Sequence, residues 1–122
     1  MEPTIAAEGR EPGGGIVVMP TNFANVNRAS IISFMAQYRV PAIYPFPAMV
    51  KDGGLIFYGA NAIDQYRRAA SYVDRVLRNE NPGQLPVQQP TKFELIVNLK
   101  TANALGIAIP SATLSRADQV IE

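Results

Sequence analysis

A chain of 122 residues, 48% hydrophobic and 17% charged, suffices for one domain with a modest core, near the lower limit for a doubly wound sheet. Its 11 Lys and Arg against 10 Asp and Glu leave a net charge of +1, too little field to hold nucleic acid or an anionic membrane. The absence of Cys and His removes disulfides, thiolate nucleophiles, the usual zinc sites and every His-based triad, and leaves the redox compartment open. Met1-Glu2-Pro3-Thr4 carries acid rather than a basic leader, and no apolar stretch approaches the roughly 20 residues of a membrane span. Neither a signal peptide nor an anchor is therefore expected in this chain, which as written would be cytoplasmic.

Glu2 to Glu11 has the content of a short helix, ended by Pro12-Gly13-Gly14-Gly15. Those glycines permit a tight entry to a strand; a phosphate loop is disfavoured because they precede the strand and no Lys-Ser or Lys-Thr follows. Gly15–Pro20, Pro41–Pro45 and Gly54–Gly59 are short apolar runs stopped by Pro or Gly, as in a parallel sheet covered by helices on both faces. Strands are expected near Ile16–Met19, Ala42–Tyr44 and Leu55–Tyr58, and ligands at their carboxyl ends, Pro20–Asn22, Tyr44–Pro47 and Tyr58–Asn61. After the cap residues Thr21 and Asn22, apolar residues recur at helical spacing through Ala24–Tyr38, a helix expected to be buried on most sides.

Ala62–Asn79 reads as an amphipathic surface helix. Ile63, Tyr66, Ala69, Ala70, Val73, Val76 and Leu77 form one stripe, while Asp64, Arg67, Arg68, Ser71, Asp74, Arg75 and Arg78 face away as a solvated, ion-paired exterior. Asn81-Pro82-Gly83 turns the chain, and Leu85–Pro90 must be an extended crossing segment because its two prolines remove ladder donors. Phe93, Leu95, Val97 and Leu99 alternate with Glu94, Ile96 and Asn98 as in a half-covered strand. Thr101 is expected to cap a short helix ended by Gly106, and Ser111 a last one through Leu114 and Arg116. The chain divides at Gln84 into an α/β lobe, 1–84, and a segment, 85–122, that completes the same domain or is swapped to a partner.

From Pro86 to Ala102, then Ala104-Leu105-Gly106 and Ile109-Pro110, the chain resembles the carboxyl-terminal signature of ABC transporter substrate-binding proteins of the tryptophan/tyrosine type. The resemblance extends upstream through Gly14–Pro20, Arg39–Phe46 and Tyr66–Ala70, and so covers nearly the whole chain. It implies one lobe of the type I periplasmic binding fold, a three-layer α/β sandwich with a mainly parallel sheet. Only the second lobe and the tail have counterparts here; the first lobe, and the opening strand and helix of the second, do not.

By that resemblance, Thr21 and Asn22 present hydroxyl and amide groups to the polar end of a small organic solute such as an amino acid. Tyr44 and Phe46 supply an aromatic wall, and Tyr58, Gly59 and Asn61 line the third strand end. Capping accounts equally for Thr21, Asn22 and Asn61, and sheet-end packing for Tyr44 and Tyr58. Asn61 stands where an acidic residue often appears in amino-acid binders, which weighs against an ammonium ligand. The resemblance also implies a periplasmic location and a membrane permease as partner, and calls for no cofactor or metal. With one jaw of the clamp, affinity for the solute should be weak.

The alternative is a stand-alone dimerising interaction domain without solute binding. The apolar face of Phe93, Leu95, Val97 and Leu99, with Leu105, Ile107 and Ile109, would then be covered by a second copy, and a homodimer with contacts from Leu85 to Ile109 is expected. An enzyme is disfavoured: Asp52, Asp64 and Glu94, with Lys51 or Lys92, are its candidate groups, and nothing in their spacing forces two into one site.

Overall fold

The structure, a computed structural model, describes all residues from Met1 to Glu122. Five strands form one sheet in chain order: β1 (Ile16–Val17), β2 (Ala42–Tyr44), β3 (Ile56–Ala60), β4 (Phe93–Asn98) and β5 (Gln119–Ile121). β1 with β2, β2 with β3 and β4 with β5 are parallel. The helices are α1 (Glu2–Glu8), α2 (Asn22–Val26), α3 (Arg28–Gln37), α4 (Pro47–Lys51), α5 (Ala62–Leu77), α6 (Leu99–Leu105) and α7 (Ser111–Leu114). The α/β architecture with a mainly parallel sheet is the one the sequence predicts. Two compact units are present: Met1–Gly59 with Leu95–Glu122, and Ala60–Glu94. The boundary expected at Gln84 falls inside the second.

The core of the first unit lies on the face of the sheet that carries Ala42, Tyr44 and Phe57, where Ile5, Ile31, Met35, Met49 and Val50 pack against them. Register sets that face: Tyr44 is opposite Phe57, while Val17, Ile43 and Ile56 share the other side. Each large side chain removed from water there stabilises by about 1.5–3 kcal/mol. Met49 and Val50, both fully buried, belong to α4, a helix the sequence reading does not anticipate. Pro47 opens it, in the one place where a missing N–H costs nothing.

Four expectations need correction in the first unit. The helix expected over Ala24–Tyr38 breaks at Asn27, whose backbone leaves the helical region (φ −97°, ψ 17°) while its side-chain amide donates to the Phe23 carbonyl at 2.9 Å. α3 then buries one face only, Ile31 and Met35. The cap of α6 is Asn98, not Thr101: the Asn98 Oδ1 accepts the Thr101 N–H at 3.0 Å, freeing the Thr101 hydroxyl to donate to the Gly53 carbonyl at 2.9 Å. Ser111 is the first residue of α7 and makes no side-chain cap. Gly106 does end α6, with the left-handed φ of 73° that Gly adopts without strain.

The tail is built into its own sheet. β4 lies between β3 and β5, and Ile96, Val97 and Asn98 are all buried, so it is covered on both faces toward its carboxyl end rather than half-covered. β5, unforeseen from sequence, is locked on by Asp118, whose N–H donates to the Leu95 carbonyl while its carboxylate accepts the Leu95 N–H, both at 2.8 Å. Of the apolar residues of β4, Ile96 and Val97 are buried within the chain, Leu95 is half-buried and Phe93 is exposed.

The second unit is α5 and the segment that returns along it. Asn61 caps α5 by accepting the Asp64 N–H at 2.9 Å. A 3-10 turn over Pro82–Gln84 reverses the chain, and the extended return is pinned by Tyr72 Oη donating to the Pro86 carbonyl at 2.6 Å and by Arg68 donating to the Thr91 hydroxyl. Asp64–Arg68 and Asp74–Arg78 form the ion pairs their spacing predicts, each at 3.0 Å. The sidedness departs from the sequence expectation only in part: Arg67, Ser71, Asp74, Arg75 and Arg78 are exposed as expected. Asp64, Arg68 and Tyr72 are half-buried, while the apolar stripe is exposed, Tyr66 at 79% and Leu77 at 77%.

Candidate ligand-binding site

The carboxyl ends of β1, β2 and β3 carry the residues expected to meet a ligand, and each end is shaped by a different local device. After β1, Thr21 is the extended N-cap of α2 (φ −118°, ψ 157°) and its Oγ1 accepts the Ala24 N–H at 3.1 Å. The hydroxyl proton stays available to a ligand oxygen. Asn22, at the first position of α2, is exposed. Thr21 also lines an apolar recess of about 370 Å³ walled by Ile5, Ile16, Val18, Phe23 and Met35.

After β2 the two aromatic residues part company. Tyr44 is 3% exposed and packs in the core, its ring so close to Gly54 that a Cβ there would lie 2.7 Å from the ring. Burial pushes its phenol up to about 12 from the ordinary 10.0. Tyr44 thus belongs to the packing of the sheet, the second of the two readings its position allows. Phe46 is half-buried at the start of α4, packed against the core on one side.

After β3 the pleat turns the neighbours Phe57 and Tyr58 to opposite faces, burying the first and leaving the second 60% exposed. Gly59 follows, where a Cβ would meet the Phe57 ring at 3.0 Å. Asn61 lies in the second unit with both ends of its side chain engaged: Oδ1 caps α5 and Nδ2 donates to the Glu94 carboxylate at 3.2 Å. Its N–H donates to the Lys92 carbonyl at 2.9 Å.

The first unit thus offers, at its strand ends, neutral hydroxyl and amide groups and two aromatic rings. No group of three or more acidic residues is placed to hold a metal ion. Among charged groups, Asp52 pairs with Arg28 at 3.2 Å, on the far side of α4 from β2 in sequence. No helix is long and apolar enough to cross a membrane. Sequence reasoning missed Asn98, the one buried polar side chain, which holds the β4 end against α4 beneath this surface by donating to the Val50 carbonyl at 3.0 Å. Its place directly before a helix, three residues ahead of Thr101, is the capping signal that would have found it.

Comparison with known proteins places this arrangement. The family model of ABC transporter substrate binding proteins matches residues 4–121. A conserved domain protein from Vibrio cholerae is similar in structure, with 25% identity and a TM-score of 0.85. So is an ABC domain from Streptococcus pneumonia solved in complex with L-Trp, with 26% identity and a TM-score of 0.85. A ligand-free, open substrate binding protein with adhesive properties from Clostridium difficile, 20% identical with a TM-score of 0.69, shares the fold. Each comparison covers 98% of this chain and 40% of the other, so the chain spans well under half the length of these relatives. No curated protein matches.

Proposed function

Because this chain belongs to the family of ABC transporter substrate binding proteins, we propose that it acts as one lobe of the solute-binding component of an uptake transporter. Its solute is a small organic molecule such as an amino acid. The observation that carries this reading is the match to the ABC domain held in complex with L-Trp, at a TM-score of 0.85 over 98% of the chain. The Thr21 hydroxyl and Asn22 amide meet the polar end of the solute, and Phe46 and Tyr58 flank its apolar part, with Gly59 leaving room for close approach. These groups bind and release; they perform no chemistry. Tyr44 and Asn61 are left out of the contact set, since the one is in the core and the other is engaged at both ends.

The longer relatives support a partner permease and a location outside the cytoplasmic membrane, periplasmic or extracellular. One lobe encloses half a ligand, so the remaining contacts must offset the ordering cost of association alone. Calorimetric titration of the isolated chain with a panel of amino acids tests this. The expected constants are millimolar, of order 1 mM or weaker, for a subset that includes aromatic amino acids. Absence of heat and of thermal stabilisation for every member at about 50 mM would overturn the reading, since binding to the folded state must raise stability by RT ln(1 + [L]/Kd).

A further inference from the structure

The contact set proposed for the solute, Thr21, Asn22, Phe46, Tyr58 and Gly59, contains no charged side chain. Its hydroxyl and amide groups can donate to a carboxylate, but none supplies a counter-charge to a cation. From Gly59 the chain continues through Ala60 to Asn61, at most about 7 Å of extended backbone. The Asn61 Oδ1 is committed to the cap of α5, where it accepts the Asp64 N–H at 2.9 Å. That cap fixes the amide's orientation, so its NH2 end faces the carboxylate of Glu94 and donates to Oε2 at 3.2 Å. Glu94 is half-buried at the amino end of β4. The ion pairs of the chain are Arg28–Asp52, Arg68–Asp64, Arg75–Glu80 and Arg78–Asp74; none includes Glu94, and Lys92, two residues before it, forms none. A carboxylate partly withdrawn from water and held by a neutral amide gains most from a cation that arrives from outside the chain.

We propose that Glu94 receives an ammonium group of the solute, with Asn61 as its positioning residue, so that the solute class is one carrying a primary ammonium, an α-amino acid above all. This rests on the solute-binding reading and deepens it. One carboxylate oxygen of Glu94 stays on the Asn61 amide, and the other accepts from the ammonium, whose N–H groups suit a single acid. Asn61 brings no charge of its own, and its neutrality does not exclude an ammonium, because the acid it holds supplies the counter-charge. The other acid beside this cap, Asp64, has its charge taken up by Arg68 at 3.0 Å. A lone carboxylate with an amide beside it matches a monovalent organic cation, and no group of three or more acidic residues gathers here to hold a metal ion.

Amide chemical-shift titration of the isotopically labelled chain with L-Trp and with indole-3-propionate, which lacks only the ammonium, tests the proposal. The parent should bind L-Trp about tenfold or more tightly than indole-3-propionate. Glu94→Gln, of the same shape without the charge, should weaken L-Trp about tenfold and bring the two ligands to within about twofold of each other. Asn61→Ser keeps a capping oxygen but loses the amide donor, and should reduce the preference to about threefold. A purely structural role for either residue would move the unfolding midpoint and not this ratio. Equal affinities in the parent, or a preference that survives Glu94→Gln, overturn the proposal and leave the solute-binding reading standing. A preference untouched by Asn61→Ser removes Asn61 from its role. No shift at Thr21, Asn22, Phe46, Tyr58 or Gly59 with either ligand overturns the solute-binding reading, and this proposal with it.

Discussion

The side-chain amide of Asn98 donates to the Val50 carbonyl at 3.0 Å, both groups buried, and so joins the end of β4 to a helix 48 residues earlier in the chain. The other end of the same amide caps α6, and Thr101 one turn on bonds the Gly53 carbonyl. The α4–β3 turn, from which the surface around Phe46 is suspended, is therefore held by the tail. Asn98→Leu leaves the Val50 carbonyl with only the Gly53 N–H, at 3.2 Å, and removes a helix cap, and should cost about 1–2 kcal/mol. Thr101→Val should cost about 1 kcal/mol. Urea unfolding of the two variants checks this; an Asn98→Leu midpoint equal to that of the parent would contradict it.

Gly54 is a second fixed point of that turn. A Cβ there would lie 2.7 Å from the Tyr44 ring and 2.8 Å from the Met49 carbonyl, one a packed aromatic and the other backbone. Gly54→Ala should destabilise by about 1–3 kcal/mol, because neither neighbour yields easily. The comparison variant Gly13→Ala meets nothing within 4 Å and carries only the strain of its φ of +79°. Thermal unfolding should rank Gly54→Ala below Gly13→Ala, and the opposite order would count against the packing described around Tyr44.

Tyr44 gives the fold an alkaline limit. Its phenol is raised by burial from 10.0 to about 12, so the native state favours the neutral form more than the unfolded chain does. That preference costs nothing below pH 10, where both states are protonated, and is lost as pH climbs from 10 toward 12. The loss is of order 2–3 kcal/mol. Stability measured across this window should fall more steeply for the parent than for Tyr44→Phe, which has no proton to lose. Parallel curves would place the Tyr44 hydroxyl in water.

Local signals made much of this legible in sequence, while burial decided what was not. β2 occupies Ala42–Tyr44 as read, because an apolar triplet between prolines has little alternative, and Gly106 ends α6 for the same conformational reason that singled it out. α4 and β5 have five and three residues, too few for a period to register, and exist because Met49 and Val50 are buried and Asp118 clasps Leu95. The amphipathicity of α5 was plain, but a hydrophobic stripe does not say which side the chain covers, and here the half-buried side is the one with Asp64, Arg68 and Tyr72. At the candidate site, Tyr44 and Tyr58 look alike as aromatics at strand ends. Only the register of Tyr44 with Phe57 separates the buried ring from the exposed one.

The proposed function puts a small solute at the strand ends of this lobe. Amide chemical-shift mapping of the isotopically labelled chain, titrated with L-Trp and then with other amino acids, tests it most directly. The prediction is a saturable, millimolar set of shifts, of order 1 mM or weaker, centred on Thr21, Asn22, Phe46, Tyr58 and Gly59 and reduced by Thr21→Val. Shifts confined to α5, or none at any of the five residues at saturating solute, would contradict it.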